Sequence, residues 1–426
     1  MEKLLIKNIG LLVVDNHGKH CLCGEEMRQS EVLRDAWLLV EDGRIKDFGV
    51  LPLPLPESGE VVDARGGAVL PSFCDSHTHL VYADSREGEF VDKIRGLSYA
   101  EIARRGGGIL NSADRLHALS EEELYRQAMR RVDEIIRKGT GAVEIKSGYG
   151  LNTEDELKML RVIRRIKDTA PLKVMSTFLG AHAVGRAYTG RQTDYVDMVV
   201  NEMIPEVGHQ QLADFIDVFC DEGFFTPEET ARILEAGARY GMRPKIHGQE
   251  LADSGGVEVA VSHHALSVDH LESMTDKDIE LLSPPHLQRE MYCETGRECL
   301  TIPTALPGTS FFLNMPFAPA RKIIEAGLPL AIASDYNPGS TPSGDMKFVV
   351  SLACIKMRLL PSEALNAATL NTAAAMALSG DYGSIAHGKV ANFYITEPIS
   401  TIDYIPYAYT QPIIQRVFLK GKEYSA

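Results

Sequence analysis

Two histidines one residue apart, His77 and His79, follow the apolar run Val69-Leu70-Pro71-Ser72-Phe73-Cys74. Such a run reads as a buried strand, and side chains at i and i+2 of a strand face the same way. Two imidazoles at the end of one strand can therefore reach a single metal ion. Further polar residues collect where later apolar runs end: Lys146, Ser147 and Tyr149; His182; Asp221 and Glu222; His247 and Glu250; Asp269 and His270; Asp335 and Asn337. One histidine at a strand end is usually a packing residue. Five of the thirteen histidines at four strand ends, with an aspartate closing the last, form a pattern that chance supplies poorly. Three neutral imidazoles and a carboxylate make a good shell for one Zn²⁺ or Fe²⁺. The expected ligands are His77, His79, His247 and Asp335. A cation held this way lowers the pKa of bound water toward ~7 and gives hydroxide at neutral pH. His270 or Glu250 is the expected base for the water proton. His263 and His264 precede a strand and are expected on a helix or loop surface.

These residues need elements that bring their strand ends together. Eight candidate strands fall at 69–74, 142–146, 174–179, 215–220, 244–246, 266–268, 299–302 and 330–333. Helical patterns separate most of them, for instance 121–138 after the cap Ser120, and 153–168. Alternating strands and helices mark a parallel α/β fold. Eight units over roughly 320 residues fit a (β/α)8 TIM-type barrel, which places its chemistry at the C-terminal ends of its strands. A doubly wound open sheet is the alternative, but no Gly-x-Gly-x-x-Gly follows a first strand. Gly106-Gly107-Gly108 lacks that setting and reads as a mobile loop near the barrel mouth.

The two ends of the chain have a different texture. Residues 1 to 66 read as short strands, with Glu41-Asp42-Gly43-Arg44 as a hairpin turn and 51–56, a Leu-Pro alternation, as a loop. Residues 385–426 hold two more strands, 392–396 and 413–419. Neither end can fill a core alone, so they are expected to pack into one small β-sandwich domain beside a barrel over 67–384.

Composition narrows the function. With 44% hydrophobic and 24% charged residues the chain is that of an ordinary globular protein. A net charge of −15 disfavours nucleic acid or an anionic membrane as partner, and means that an anionic substrate needs local positive charge. No apolar run approaches the ~20 residues of a membrane span. Seven cysteines without a Cys-x-x-Cys pair fit a reducing, cytoplasmic compartment.

The strand-end constellation resembles the amidohydrolase superfamily. Within it, several segments are similar to the imidazolonepropionase family of histidine degradation. They include His77-Thr78-His79-Leu80-Val81-Tyr82-Ala83-Asp84-Ser85-Arg86, Ser98-Tyr99-Ala100-Glu101-Ile102, Glu144-Ile145-Lys146-Ser147-Gly148-Tyr149-Gly150-Leu151, Lys245-Ile246-His247, Leu306-Pro307-Gly308-Thr309 and Ser334-Asp335-Tyr336-Asn337-Pro338-Gly339-Ser340. The resemblance implies a single metal. Strand 4 independently offers no lysine of the kind that two-metal relatives carbamylate, and Lys146, on strand 2, reads as a structural ion pair.

The resemblance further implies hydrolytic ring opening of 4-imidazolone-5-propanoate to N-formimidoyl-L-glutamate by a metal-bound hydroxide. By the same resemblance Arg86, Tyr149, His182, Glu250 and Ser340 contact substrate, and Asn337 and Gly339 contact product. Arg86 suits the propanoate, since a guanidinium pairs bidentately with a carboxylate. His270 would stabilise the oxyanion or shuttle a proton, and Asp335 would protonate the leaving nitrogen. A deaminase of the same superfamily is the alternative; it needs no propanoate clamp. A homodimer is the expected assembly. Ser76, Asp84 and Asn392 depart from the family pattern, and 283–299 is longer than its usual link.

Overall fold

The computed structural model describes residues 2–15, 17–51, 59–97, 101, 107–283 and 300–425. The expected loop at 52–56, positions 98–100 and 102 of the family segments, position 106 of the glycine loop, and 284–299 of the long link lie outside the described residues.

Eight parallel strands run in sequential order around a barrel. They are β1 (Phe73–Asp75), β2 (Thr140–Lys146), β3 (Lys173–Ala181), β4 (Phe215–Cys220), β5 (Arg243–Gly248), β6 (Ser267–His270), β7 (Ile302–Ala305) and β8 (Ala331–Ile332). Strand β2 is buried along its whole length, as a strand covered on both faces must be. Between the last strand and the first, closure is made by the segments just beyond them. The Asp335 amide donates to the His77 carbonyl at 2.9 Å, and the His79 amide to the Tyr336 carbonyl at 2.9 Å. Ring closure thus sets the His-x-His pair directly against Asp335.

Helices follow their sequence signals. Ser120 accepts from the Glu123 amide and starts Glu121–Arg137, which buries Leu124, Ala128, Val132, Ile135 and Ile136 on one face. Asn152 caps Thr153–Thr169 in the same way.

Both chain ends contribute to one mixed eight-stranded sheet, distinct from the barrel. Lys3–Val14 pairs with Glu31–Glu41, which pairs with Arg44–Val50 across the expected turn. Asp42 (φ +48°) and Gly43 (φ +76°) take the left-handed conformations that this tight hairpin needs. Phe393–Thr396 pairs with Ile414–Leu419. A separate apolar core of Leu4, Ile6, Leu12, Leu38, Phe393 and Phe418 lies within this unit.

The run at 69–74, expected as one barrel strand, is two. Ala68–Pro71 pairs with the N- and C-terminal strands of the mixed sheet, and only Phe73–Asp75 joins the barrel. Ser72 lies between them, its amide taken by the Asn392 carbonyl at 3.0 Å. An apolar run looks the same whichever sheet buries it, so composition could not locate the break. The seventh strand, expected over 299–302, is Ile302–Ala305, with Leu300 and Thr301 outside it.

Candidate active site

The C-terminal mouth of the barrel gathers the polar residues that the sequence singled out. His77, His79, His247 and Asp335 are buried there. The Nε2 atoms of His77 and His79 are 3.3 Å apart, and those of His79 and His247 3.4 Å. Asp335 Oδ1 lies 3.6 Å from the Nε2 of both His77 and His79.

The far sides of two imidazoles fix what these nitrogens carry. His77 Nδ1 donates to Asp269 Oδ2 at 2.7 Å. His247 Nδ1 faces Asp217 Oδ2 at 3.0 Å. His77 Nδ1 thus holds its proton against a carboxylate, which leaves a bare lone pair on its Nε2, and the carboxylate facing His247 Nδ1 favours the same tautomer there. Burial is the main cause that pushes His77 and His79 far below the usual histidine range, so both are neutral. Converging lone pairs and a carboxylate repel one another unless a cation lies among them. The donor set therefore fits a divalent metal, and these three histidines form a group spaced to hold one.

Asp335 is held on its other oxygen. Thr309 Oγ1 donates to Oδ2 at 2.6 Å, and Ser340 Oγ at 3.2 Å. Asn337 organises the same turn, with its Oδ1 accepting from the amides of Gly339 (2.7 Å) and Ser340 (2.8 Å). Asp335 (φ +54°) and His270 (φ +88°) both sit in the left-handed region, which costs an L-residue about 1–3 kcal/mol. Strain of that kind persists only where the surroundings over-determine it.

His270, on β6, lies between two glutamates: Nε2 is 3.6 Å from Glu250 Oε2, and Nδ1 is 3.6 Å from Glu272 Oε2. Burial opposes its charge, but Glu250, Glu272 and Asp335 outweigh burial and raise its pKa. Burial raises the Glu250 carboxyl, against the pull of His270. His182 donates from Nδ1 to the Gly148 carbonyl at 2.9 Å and stacks on His79 with centroids 5.1 Å apart. Burial, then His247, pushes it down to about 3. The Tyr149 ring completes this wall, 5.9 Å from His79.

Arg86 is not a surface residue: it is 8% exposed. Its Nε and Nη2 donate to Glu89 Oε2 at 2.9 and 2.7 Å. The other edge packs on Gly339, where a Cβ would lie 2.4 Å from Nη1. Lys93, half-buried nearby, donates to the Gly339 carbonyl at 2.9 Å. Glu89 also accepts from the Gly108 amide at 3.0 Å, which ties the described part of the glycine segment to this corner of the mouth.

Below the histidines the barrel interior is charged. Lys146 contacts Glu144 Oε1 (2.6 Å) and Asp217 Oδ2 (2.7 Å). Lys245 contacts Glu144 Oε2 and the Ser76 carbonyl, the latter at 2.9 Å. Lys146 is therefore the ion-pair residue that its position suggested. Asp221 accepts the amides of Glu250, Leu251 and Ala252 and shapes that loop. Sequence reasoning gave no role to Glu89, Lys93, Asp217, Lys245, Asp269 or Glu272. The alternation Glu144-x-Lys146 and Lys245-x-His247 was the available signal, because it points charge and ligand inward from one strand face.

Comparison with known proteins agrees with this geometry. A model described as the amidohydrolase family matches residues 68–424. An imidazolonepropionase of Christiangramia forsetii is 50% identical over 421 residues, covering 98% of this chain and 99% of that protein. One from Thermoanaerobacter pseudethanolicus is 39% identical over 385 residues, covering 90% and 89%. Among solved structures, E. coli guanine deaminase superposes with a TM-score of 0.73 at 14% identity, covering 100% of this chain and 99% of that one. A 5-methylcytosine deaminase from Klebsiella pneumoniae gives 0.72 at 16%, covering 98% and 97%. At such identities the deaminases share the fold alone.

Proposed function

The chain belongs to the imidazolonepropionases of the amidohydrolase family, and from that premise we propose how its residues open an imidazolone ring. It is a hydrolase of a cyclic amide. Water adds to the ring carbonyl of 4-imidazolone-5-propanoate, the carbonyl C–N bond breaks, and the freed nitrogen takes a proton. The product is N-formimidoyl-L-glutamate, and nothing leaves. The observation that carries this reading is the convergence of His77, His79, His247 and Asp335 beside a buried arginine clamp.

His77, His79, His247 and Asp335 would hold one Zn²⁺ or Fe²⁺, which as a Lewis acid supplies polarisation of the carbonyl and acidification of water. Other steps fall to the chain. His270, once its Nε2 has taken a proton, donates from that atom toward the oxygen that gains charge. Glu250 and His270 are the groups placed to take the water proton. Asp335, its Oδ2 held by Thr309 and Ser340, carries a proton to the leaving nitrogen. His182 and Tyr149 wall the ring, and Asn337, Gly339 and Ser340 line the side where the product forms. The buried thiols at Cys21, Cys23, Cys74 and Cys220 suit a reducing cytoplasm. No helix among the described residues is long and apolar enough to cross a membrane.

Arg86 orients the substrate by its propanoate. Glu89 holds Nε and Nη2, so Nη1, beside the Gly339 turn, is the donor that remains for the carboxylate. Arg86→Ala removes charge-assisted hydrogen bonds worth about 1.5–3 kcal/mol each. At 1.4 kcal/mol per decade, KM is expected to rise at least about tenfold. Metal content, measured by plasma mass spectrometry, stays as in the wild type. An unchanged KM returns Arg86 to a packing role.

The decisive test is turnover. Metal-replete protein is expected to consume synthesised imidazolone propanoate, with loss of the ring ultraviolet absorbance and stoichiometric formimidoylglutamate. No ammonia is released. Ammonia from an amino-heterocycle, with imidazolone propanoate untouched, would make this chain a deaminase instead.

A further inference from the structure

Glu272 lies two residues beyond His270, just past the end of β6. It is buried, 7% exposed. Its Oε1 accepts from Ser310 Oγ at 2.9 Å. Ser310 is itself buried, on the helix Pro307–Leu313 that follows β7. The second oxygen, Oε2, is buried without a hydrogen-bond partner, and so is His270 Nδ1. These two atoms face each other at 3.6 Å. A buried carboxylate oxygen and a buried ring nitrogen, each otherwise unsatisfied, are stable only if one donates to the other. The carboxylate can only accept, so the proton sits on His270 Nδ1.

We propose that Glu272, clamped by Ser310, is a positioning residue that fixes a proton on His270 Nδ1 and thereby turns Nε2 toward Glu250 and the reacting carbonyl. The inference rests on the ring-opening reading for its kinetic consequence, and on geometry alone for the tautomer. Glu250 faces the other ring nitrogen, Nε2, at 3.6 Å, and His247 lies 5.3 Å away between centroids. Phe219 lies nearly parallel to the His270 ring at 6.5 Å and His77 meets it edge-on at 5.4 Å, contacts that limit tilt but not the choice of nitrogen. Its backbone is strained (φ +88°), so side-chain partners must hold it. Contacts that are loose in an unliganded site commonly tighten when substrate is bound.

Glu272→Gln tests this. The amide can keep the Ser310 hydrogen bond through its carbonyl oxygen and then presents an N–H to His270 Nδ1. Two donors cannot face each other, so the ring must place its lone pair on Nδ1 and its proton on Nε2. In ¹⁵N-histidine NMR, with His270 identified by its loss in His270→Gln, Nδ1 is expected to change from proton-bearing to bare. kcat should fall roughly 10–100-fold, the scale of losing an outer partner of an active-site histidine. KM and metal content should not change. Ser310→Ala, a smaller change, should give a smaller loss of kcat with the same KM. A Glu272→Gln protein with wild-type kcat, one whose Nδ1 keeps its proton, or one that loses metal along with activity overturns the proposal. Failure of wild-type protein to open the ring would instead overturn the functional reading, and the NMR result would still decide the tautomer.

Discussion

Purified His247→Ala protein is expected to keep its fold, lose most of its metal and show no measurable turnover. The imidazole supplies one of three converging Nε2 atoms, 3.4 Å from that of His79. Without it the cation keeps only three of its four proposed protein donors, two imidazoles and a carboxylate, and is held more weakly. A cation acting as Lewis acid is worth several kcal/mol at the transition state, so kcat should fall by at least about 10³. The fold should survive because Asp217, the partner of His247 Nδ1, keeps Lys146 Nζ at 2.7 Å and the backbone amide of residue 247 at 3.1 Å. Plasma mass spectrometry on the variant should find well under one metal per chain, against about one in the wild type. Full metal occupancy in the variant, or two metals in the wild type, would contradict a mononuclear site built on His247.

Much of this site could be read along the chain because its proposed ligands lie at strand ends. His77 and His79 are linked by the two-residue period of a strand, and a short local pattern is enough to pair them. His247 and Asp335 end apolar runs in the same manner. What joins them is the closure of the barrel, where residues 77–79 meet 335–336. A motif list predicts that meeting only once eight strands have been counted. The supporting residues were harder to read. Asp269 and Asp217 serve His77 and His247 from different strands, separated by 192 and 30 positions. No local period encodes such a pairing. Arg86 was attributed to the clamp by resemblance, but its orienting partner Glu89 depends on a helical turn, and its seat on Gly339 on a close backbone approach across the mouth. The break between Ala68–Pro71 and Phe73–Asp75 was invisible for another reason. Burial makes the same demand on side chains in either sheet, and only the pairing partners differ.

Lys245→Met is expected to lower the stability of the barrel markedly. The Lys245 ammonium is fully buried among Glu144, Asp269 and the Ser76 carbonyl. Lys146, equally buried, contacts Glu144 and Asp217 and lies 3.9 Å from Asp269. Two ammoniums thus balance three carboxylates in a space closed to water, and Asp217 and Asp269 also accept from the ligand histidines. Methionine matches the lysine stem in length and keeps the packing, so the change removes charge with little volume. It leaves Glu144 with one cation instead of two and strips the Ser76 carbonyl of its donor. Breaking one partner out of a buried ion network costs about 3–5 kcal/mol, because the remaining charge stays uncompensated. At roughly 2 °C per kcal/mol for a large domain, Tm should drop by about 6–10 °C. Adding Glu144→Gln should recover part of that loss, since the orphaned carboxylate goes while its amide still accepts from Thr177 and Lys146. Both variants are to be compared by calorimetry at equal metal occupancy, because a bound cation stabilises the native state by mass action. A single variant that melts with the wild type, or a double variant less stable than the single by the full cost of Glu144→Gln alone, would mean that the ammonium contributes no net stability to the barrel.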